Sequence, residues 1–302
     1  MDQIAEHFTF VAGFVENRNT LQLLATSDEL TEDGEANSTL MKKTLEPSAR
    51  ADFHLDWFAK RACVTMHPKR TVVIVSEDGR ALYSSSDGMV TEQVSDEIPA
   101  PLGVVRNMRL INDEFVCVGM SRQVYRRDRE QGWQREDDGA LAEPSLEEVM
   151  GFNAVDGNDL NNLVAVGFGG EIWERERGVW SQAESPTNLM LNDVRLAKNS
   201  TVYACGKNGV LLSKANGAWS VIDHGTTDDE LWSLEDFMGH VFVASSDAVY
   251  RLEDTTLEPI NVTTKDDATF GFLHANDGVL LSVGSKHVFW STDASKWEQI
   301  MN

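Results

Sequence analysis

The 302-residue chain carries 49 acidic against 26 basic side chains, a formal charge of -23, with 41% hydrophobic and 25% charged residues. That charge excludes nucleic acid and anionic membranes as partners, because both demand a positive footprint, and the apolar share is that of a folded chain, not a disordered one. The opening MDQIAEHFTFVAGF lacks the basic start and unbroken apolar run of a secretion signal, so a cytoplasmic protein is expected.

Taken in order, the chain repeats one pattern. An apolar run ends on a small residue, a turn follows, a second apolar run follows that, and an aromatic or other large apolar residue opens a last run. Leu21 to Thr26 (LQLLAT) is a partial first copy. The others are Thr71 to Val94, Phe115 to Asp137, Leu163 to Glu184, Thr201 to Asp223, Val241 to Ile260 and Val279 to Ile300. Spacing tests this better than likeness of letters. The small closing residues Gly167, Gly206, Ser245 and Gly284 stand 39 residues apart, and upstream Thr26, Ser76 and Gly119 keep a looser beat. The residues opening the last run, Met89, Trp133, Trp180, Trp219, Leu257 and Trp297, keep the same rhythm.

A period of about 40 residues built from short strands and Gly turns is the signature of a β-propeller, whose blades cannot bury their faces alone. The expected fold is therefore all-β: one domain over 1–302, a seven-bladed β-propeller of four-stranded antiparallel blades. The blades are expected near 4–48, 58–95, 103–137, 146–184, 190–223, 230–262 and 268–300. Near-continuous apolar runs such as TVVIVS (71–76) fit strands packed on both faces. The tryptophans are expected to wedge between blades as core.

The repeat is most interrupted at 27–58, an acidic segment that reads either as an irregular loop or as a divergent pair of outer strands. Further connections are acidic too: EDDGALAEPSLEE (136–148), DHGTTDDE (223–230) and NVTTKDDA (261–268). In a propeller, loops leading from an outer strand to the next inner strand share a face with loops between second and third strands. Sorting charges by loop type places Glu136, Glu147, Glu148, Glu184, Glu77, Asp78 and Asp247 on that face, together with the residues expected to contact a partner. Those are Asp137, Asp138, Glu143, Asp228, Asp229, Glu230, Asp266 and Asp267. The opposite face receives bases mixed with acids, the bases including Lys69, Arg126, Arg127, Arg175 and Lys214.

Three cysteines, Cys63, Cys117 and Cys205, show no zinc spacing and are expected as free thiols. Seven scattered histidines form no HxH or HExxH, and no P-loop, GxSxG or dinucleotide fingerprint is present, so neither cofactor nor metal is expected.

SSSDG (84–88), SKANGAW (213–219) and STDASKW (291–297) resemble the bacterial neuraminidase repeat, or Asp-box, while VAVGFGGEIWE (164–174) and VYACGKNGVLL (202–212) resemble blades of photosystem II assembly-factor-like propellers. The resemblance implies architecture, with Asp87 and Asp293 as turn carboxylates. It does not imply activity, since the Arg-Ile-Pro segment of the sialidases is missing. The expected function is a non-enzymatic protein binder, an immunity-type neutraliser that covers a basic, toxin-like or nuclease-like protein with its acidic face. The alternatives are an assembly factor or chaperone, and a carbohydrate-active hydrolase using Asp193, Arg195 or His274 on inner strands.

Overall fold

The computed structural model describes residues 3–95, 103–128, 131–142, 149–263, 265 and 267–301. Among them the chain forms seven antiparallel sheets of four consecutive strands each. The first holds β1–β4 (Phe8–Asn17, Thr20–Ser27, Ser38–Thr44, Ala49–Leu55), with a short helix α1 (Asp28–Glu32) between its second and third strands. The second holds β5–β8 (Ala59–Thr65, Thr71–Ser76, Arg80–Ser85, Gly88–Gln93) and the third β9–β12 (Val105–Ile111, Glu114–Gly119, Val124–Asp128, Gly132–Arg135). The fourth holds β13–β16 (Phe152–Asp159, Asn162–Gly167, Ile172–Glu176, Val179–Gln182) and the fifth β17–β20 (Leu191–Leu196, Val202–Gly206, Leu211–Ala215, Ala218–Val221). The sixth holds β21–β24 (Ser233–Phe237, His240–Ala244, Val249–Glu253, Thr256–Ile260) and the seventh β25–β28 (Phe272–Asn276, Val279–Val283, Val288–Ser291, Glu298–Met301). The fold is a seven-bladed β-propeller.

Packing divides the chain into two compact units. One comprises Met1–Ala59, Ala197–Asn199 and Asp223–Asn302, and the other Lys60–Leu196 and Ser200–Ile222. The second unit carries blades two to five. Its cores lie between successive blades: Val73, Val75, Phe115 and Tyr125 fill the space between blades two and three, and Ile111, Val116, Phe152 and Trp180 that between three and four. Ala154, Ile172, Leu191, Leu212 and Trp219 do the same between four and five. Each second strand is therefore covered on both faces. All six residues of β6 are buried, whereas the outer strand β8 is exposed along most of its length. This accounts for unbroken apolar runs where a half-buried strand would alternate.

Trp180 and Trp219 act as wedges. Trp180, 4% exposed, stacks on Phe152 at 5.9 Å and its indole N–H donates to the Glu136 carbonyl of the preceding blade at 2.7 Å. Trp219 repeats the contact one blade on, donating to Glu174 Oε1 at 2.8 Å. Met89 departs from the pattern. It holds the same repeat position but is exposed, whereas Leu257 at that position in blade six is buried.

The glycines that keep the 39-residue beat have a steric cause. A Cβ on Gly167 would lie 1.8 Å from the Gly151 carbonyl oxygen, and one on Gly206 would lie 2.1 Å from that of Met190, so the incoming connection passes too close for any side chain. Gly206→Ala is expected to destabilise the protein by about 1–3 kcal/mol, read as a lowered urea midpoint.

In the first unit, blades six and seven share a core of Phe237, Phe242, Leu273, Leu280 and Phe289, with Trp297 packed against it. Blades seven and one share another of Phe10, Leu21, Leu23, Leu281 and Val288. Their seam is also polar: Lys286 Nζ reaches Asp28 Oδ2 at 2.5 Å and the Phe8 carbonyl at 3.0 Å, while the Val15 N–H donates to His274 Nδ1 at 3.2 Å. Burial alone would raise the Asp28 carboxyl, but the bonds from Lys286 and Thr9 outweigh it and hold the group below its usual value.

The segment 27–58 is not one irregular loop. Its second half forms the outer strands β3 and β4, the latter exposed nearly throughout. Only 28–37, with α1, remains as the connection; Ser27 caps the helix by accepting the Leu30 N–H at 3.4 Å.

At the Asp-box turn, Ser291 Oγ donates to the Lys296 carbonyl at 2.6 Å and Asp293 Oδ1 accepts the N–H groups of Ser295 and Lys296, both at 2.8 Å. The Lys296 and Ser295 bonds hold the Asp293 carboxyl down at about 2. Because the folded value lies below the ordinary one, the carboxylate's contribution is complete above about pH 4 and is lost as pH falls through about 2. The stability gap between the protein and Asp293→Asn is thus expected to close as pH is lowered from about 4 to 2 in urea titrations.

Candidate partner-binding loops

Antiparallel order places two kinds of connection at the same end of every blade: the turn between its second and third strands, and the segment leading to the next blade. The partner residues expected from sequence all lie in segments of the second kind. In the first unit, Asp228 and Asp229 are exposed and Glu230 is half-buried in the connection from β20 to β21. This loop is internally braced. Thr227 Oγ1 accepts the Asp229 N–H at 3.0 Å and donates to Asp229 Oδ2 at 2.8 Å, and Thr226 Oγ1 donates to the Leu257 carbonyl at 3.1 Å. Asp267 is exposed in the connection from β24 to β25, while Asp266 lies outside the described residues.

Asp267 acts on His287, in the turn between β26 and β27. Burial lowers the basicity of that imidazole, Asp267 opposes the shift and Lys265 adds to it. Further carboxylates at these ends escaped the sequence reading as contact candidates. Glu29, Glu32, Asp33 and Glu35 around α1 are exposed, and so is Asp247 in the turn between β22 and β23. The acidity of 27–58 was the available signal, obscured because half of that segment is strand.

In the second unit, Asp138 is exposed and Glu143 lies outside the described residues. Asp137 is a structural residue, contrary to its expected surface role. It is 4% exposed, takes Arg135 Nε on both oxygens at 3.1 and 3.2 Å, and accepts the Val124 N–H. Burial pushes its carboxyl up against the pull of Arg135. Glu136 is likewise committed, pairing with Arg126 at 2.9 Å and Arg175 at 2.6 Å. The bases sorted to the opposite end are spent on similar pairs along the outer strands: Arg127 on Glu92, Lys214 on Glu174 and Lys69 on Asp87.

The inner-strand residues considered for hydrolysis tie strands together. Arg109 pairs with Asp156 at 3.1 Å and with Asp193 at 3.5 Å, and Asp156 also accepts the Leu196 N–H at 2.8 Å. Arg195 stands 3.8 Å from Asp156, and the His274 ring accepts the Val15 N–H. Among the described residues no three His, Cys, Asp or Glu side chains group as a metal site, and no helix is long and apolar enough to cross a membrane. None of the three cysteines forms a disulfide. Burial lifts the Cys63 thiol to about 11 and raises Cys117 and Cys205 well above the usual value.

These features define an acidic seven-bladed propeller. Among solved structures it is similar to YCF48 bound to D1 peptide, with a TM-score of 0.68 and 15% identity, covering 98% of this chain and 93% of that one. It is also similar to YCF48 from Cyanidioschyzon merolae, with a TM-score of 0.66 and 13% identity over 94% and 95% of the two chains. Both bear out the expected likeness to assembly-factor propellers, as a likeness of fold. No protein-family model matches the chain. A curated relative, the immune protein Tsi7 of Pseudomonas aeruginosa, is 32% identical over 305 residues, covering 99% of both chains. The chain belongs to the family of the immune protein Tsi7.

Proposed function

We propose that this protein is a non-enzymatic, cytoplasmic immunity protein that neutralises a toxin by binding it. The observation that carries the reading is the 32% identity to an immune protein along 99% of both chains. Neutralisation by binding needs a stable scaffold with exposed loops. The seven blades supply the first, and the connections holding Asp228, Asp229 and Asp267 in one unit and Asp138 in the other supply the second.

The finer part of the proposal is that the toxin is basic, as a nuclease domain is, and meets these acidic loops. A charge of -23, with bases such as Arg127 and Lys214 already paired, supports it. Complementary charge would speed encounter and select the partner more than it would deepen affinity. Affinity capture of the tagged protein from its native cells, read by mass spectrometry at low and moderate salt, tests both parts. A stoichiometric basic toxin that thins out as salt rises is the expected result. Capture of an acidic toxin would overturn the charge argument alone, and absence of any toxin would overturn the immunity reading.

A further inference from the structure

Trp232 stands apart from the other seven tryptophans. It is 42% exposed, against 4% for Trp180 and 9% for Trp219. It lies off the repeat position that those two occupy, at the end of the acidic connection and just before β21. Its backbone N–H donates to the Ala244 carbonyl at 2.7 Å and its indole N–H to Ser246 Oγ at 3.0 Å. The polar edge of the ring is therefore used within its own blade, pinned to the turn at 245–248, and part of the apolar body faces water.

The chain on either side of it is of one sign. From Ala215 to Tyr250 the chain has seven carboxylates and no lysine or arginine. Asp228 and Asp229 lie in the same braced loop, and Asp247 follows the serine that holds the ring; all three are exposed. An exposed indole attracts cations to its face, and adjacent carboxylates pair with the same cation. A ring already fixed in place loses little freedom when a partner covers it.

We propose that Trp232 is the pre-set anchor of the partner interface, receiving an arginine or lysine side chain of a basic protein on its ring, with Asp228, Asp229 and Asp247 completing the cation site. The occupant follows from the charge around the ring, and its identity as the toxin rests on the function proposed above. An anchor of this kind governs how long the complex lasts, while the surrounding acids govern how fast it forms.

Two experiments test it. In the first, the indole N–H signals of the 15N-labelled protein are followed while hexa-arginine amide is added, with hexaglutamate as control and Trp232→Phe for assignment. The Trp232 signal is expected to move most of the eight and to return in about 0.5 M salt. A Trp232 signal that stays put, or that moves equally with hexaglutamate, overturns the proposal. In the second, the captured toxin, made in an inactivated form, is bound to immobilised variants. Trp232→Ala is expected to raise the dissociation rate on the order of 10- to 100-fold with little change in association rate. Trp232→Phe, which keeps the ring face, is expected to retain most of the affinity. Unchanged dissociation in Trp232→Ala would remove the anchor and leave the immunity reading standing. Failure of the unaltered protein to bind any toxin would remove that reading, and the hexa-arginine titration would still decide the cation site.

Discussion

Trp180→Ala is expected to lower the stability of the protein by about 3–5 kcal/mol, the range for truncating a buried large aromatic. The ring is 4% exposed, packs among Ile111, Val116 and Phe152 from two blades, and donates its N–H to the Glu136 carbonyl. Truncation opens a cavity between blades and leaves that carbonyl without its indole donor. Met89→Ala, at the same repeat position in blade two, is the internal control. With Met89 59% exposed, the change is expected to stay within about 0.5 kcal/mol. Urea unfolding of both variants measures the contrast directly. Equal losses would mean that the wedge is not what holds neighbouring blades.

Reversing Asp228, Asp229 and Asp267 together to lysine is expected to slow association with the toxin by about 100-fold at low salt, with the deficit fading near 0.5 M salt. All three are exposed, so the fold should tolerate the change to within about 1 kcal/mol. Asp137→Lys should behave oppositely. It places a cation in a buried position next to Arg135 and should cost stability before it alters any interface. Association rates at two salt concentrations, with melting curves alongside, separate the two outcomes. An unchanged rate in the triple variant would remove the electrostatic part of the account.

Much of the fold was legible because its two strongest constraints write themselves into single letters. Gly167, Gly206 and Gly284 keep their places in the 39-residue beat because a carbonyl oxygen passes within 1.8–2.1 Å of where a Cβ would stand, whereas Ser245 carries a side chain at the same beat. At Trp180 and Trp219 the tryptophan beat reflects a wedge with a hydrogen-bonded N–H. The outer strands of blade one were harder to read. Strand β4 is exposed nearly throughout, so burial imposes no apolar pattern on ARADFHL.

The site was legible only in bulk. Loop type pointed to connections that carry exposed acids, among them Asp138, Asp228, Asp229 and Asp267, but a letter does not disclose its partner. Asp137 and Asp138 are neighbours in sequence, yet Arg135 and the Val124 N–H draw one inward and leave the other outside. Trp232 was hidden for the converse reason. A tryptophan in a propeller is usually core, and its displacement from the repeat position is shared by the buried Trp57 and Trp173, so only its exposure in the structure marks it as different.

The most direct test of the central claim is to titrate the purified protein into the captured toxin and follow the toxin's own activity. Loss of activity is expected, with an equivalence point at one chain per toxin molecule, at low salt and still at physiological salt. Full toxin activity in the presence of excess protein would contradict it.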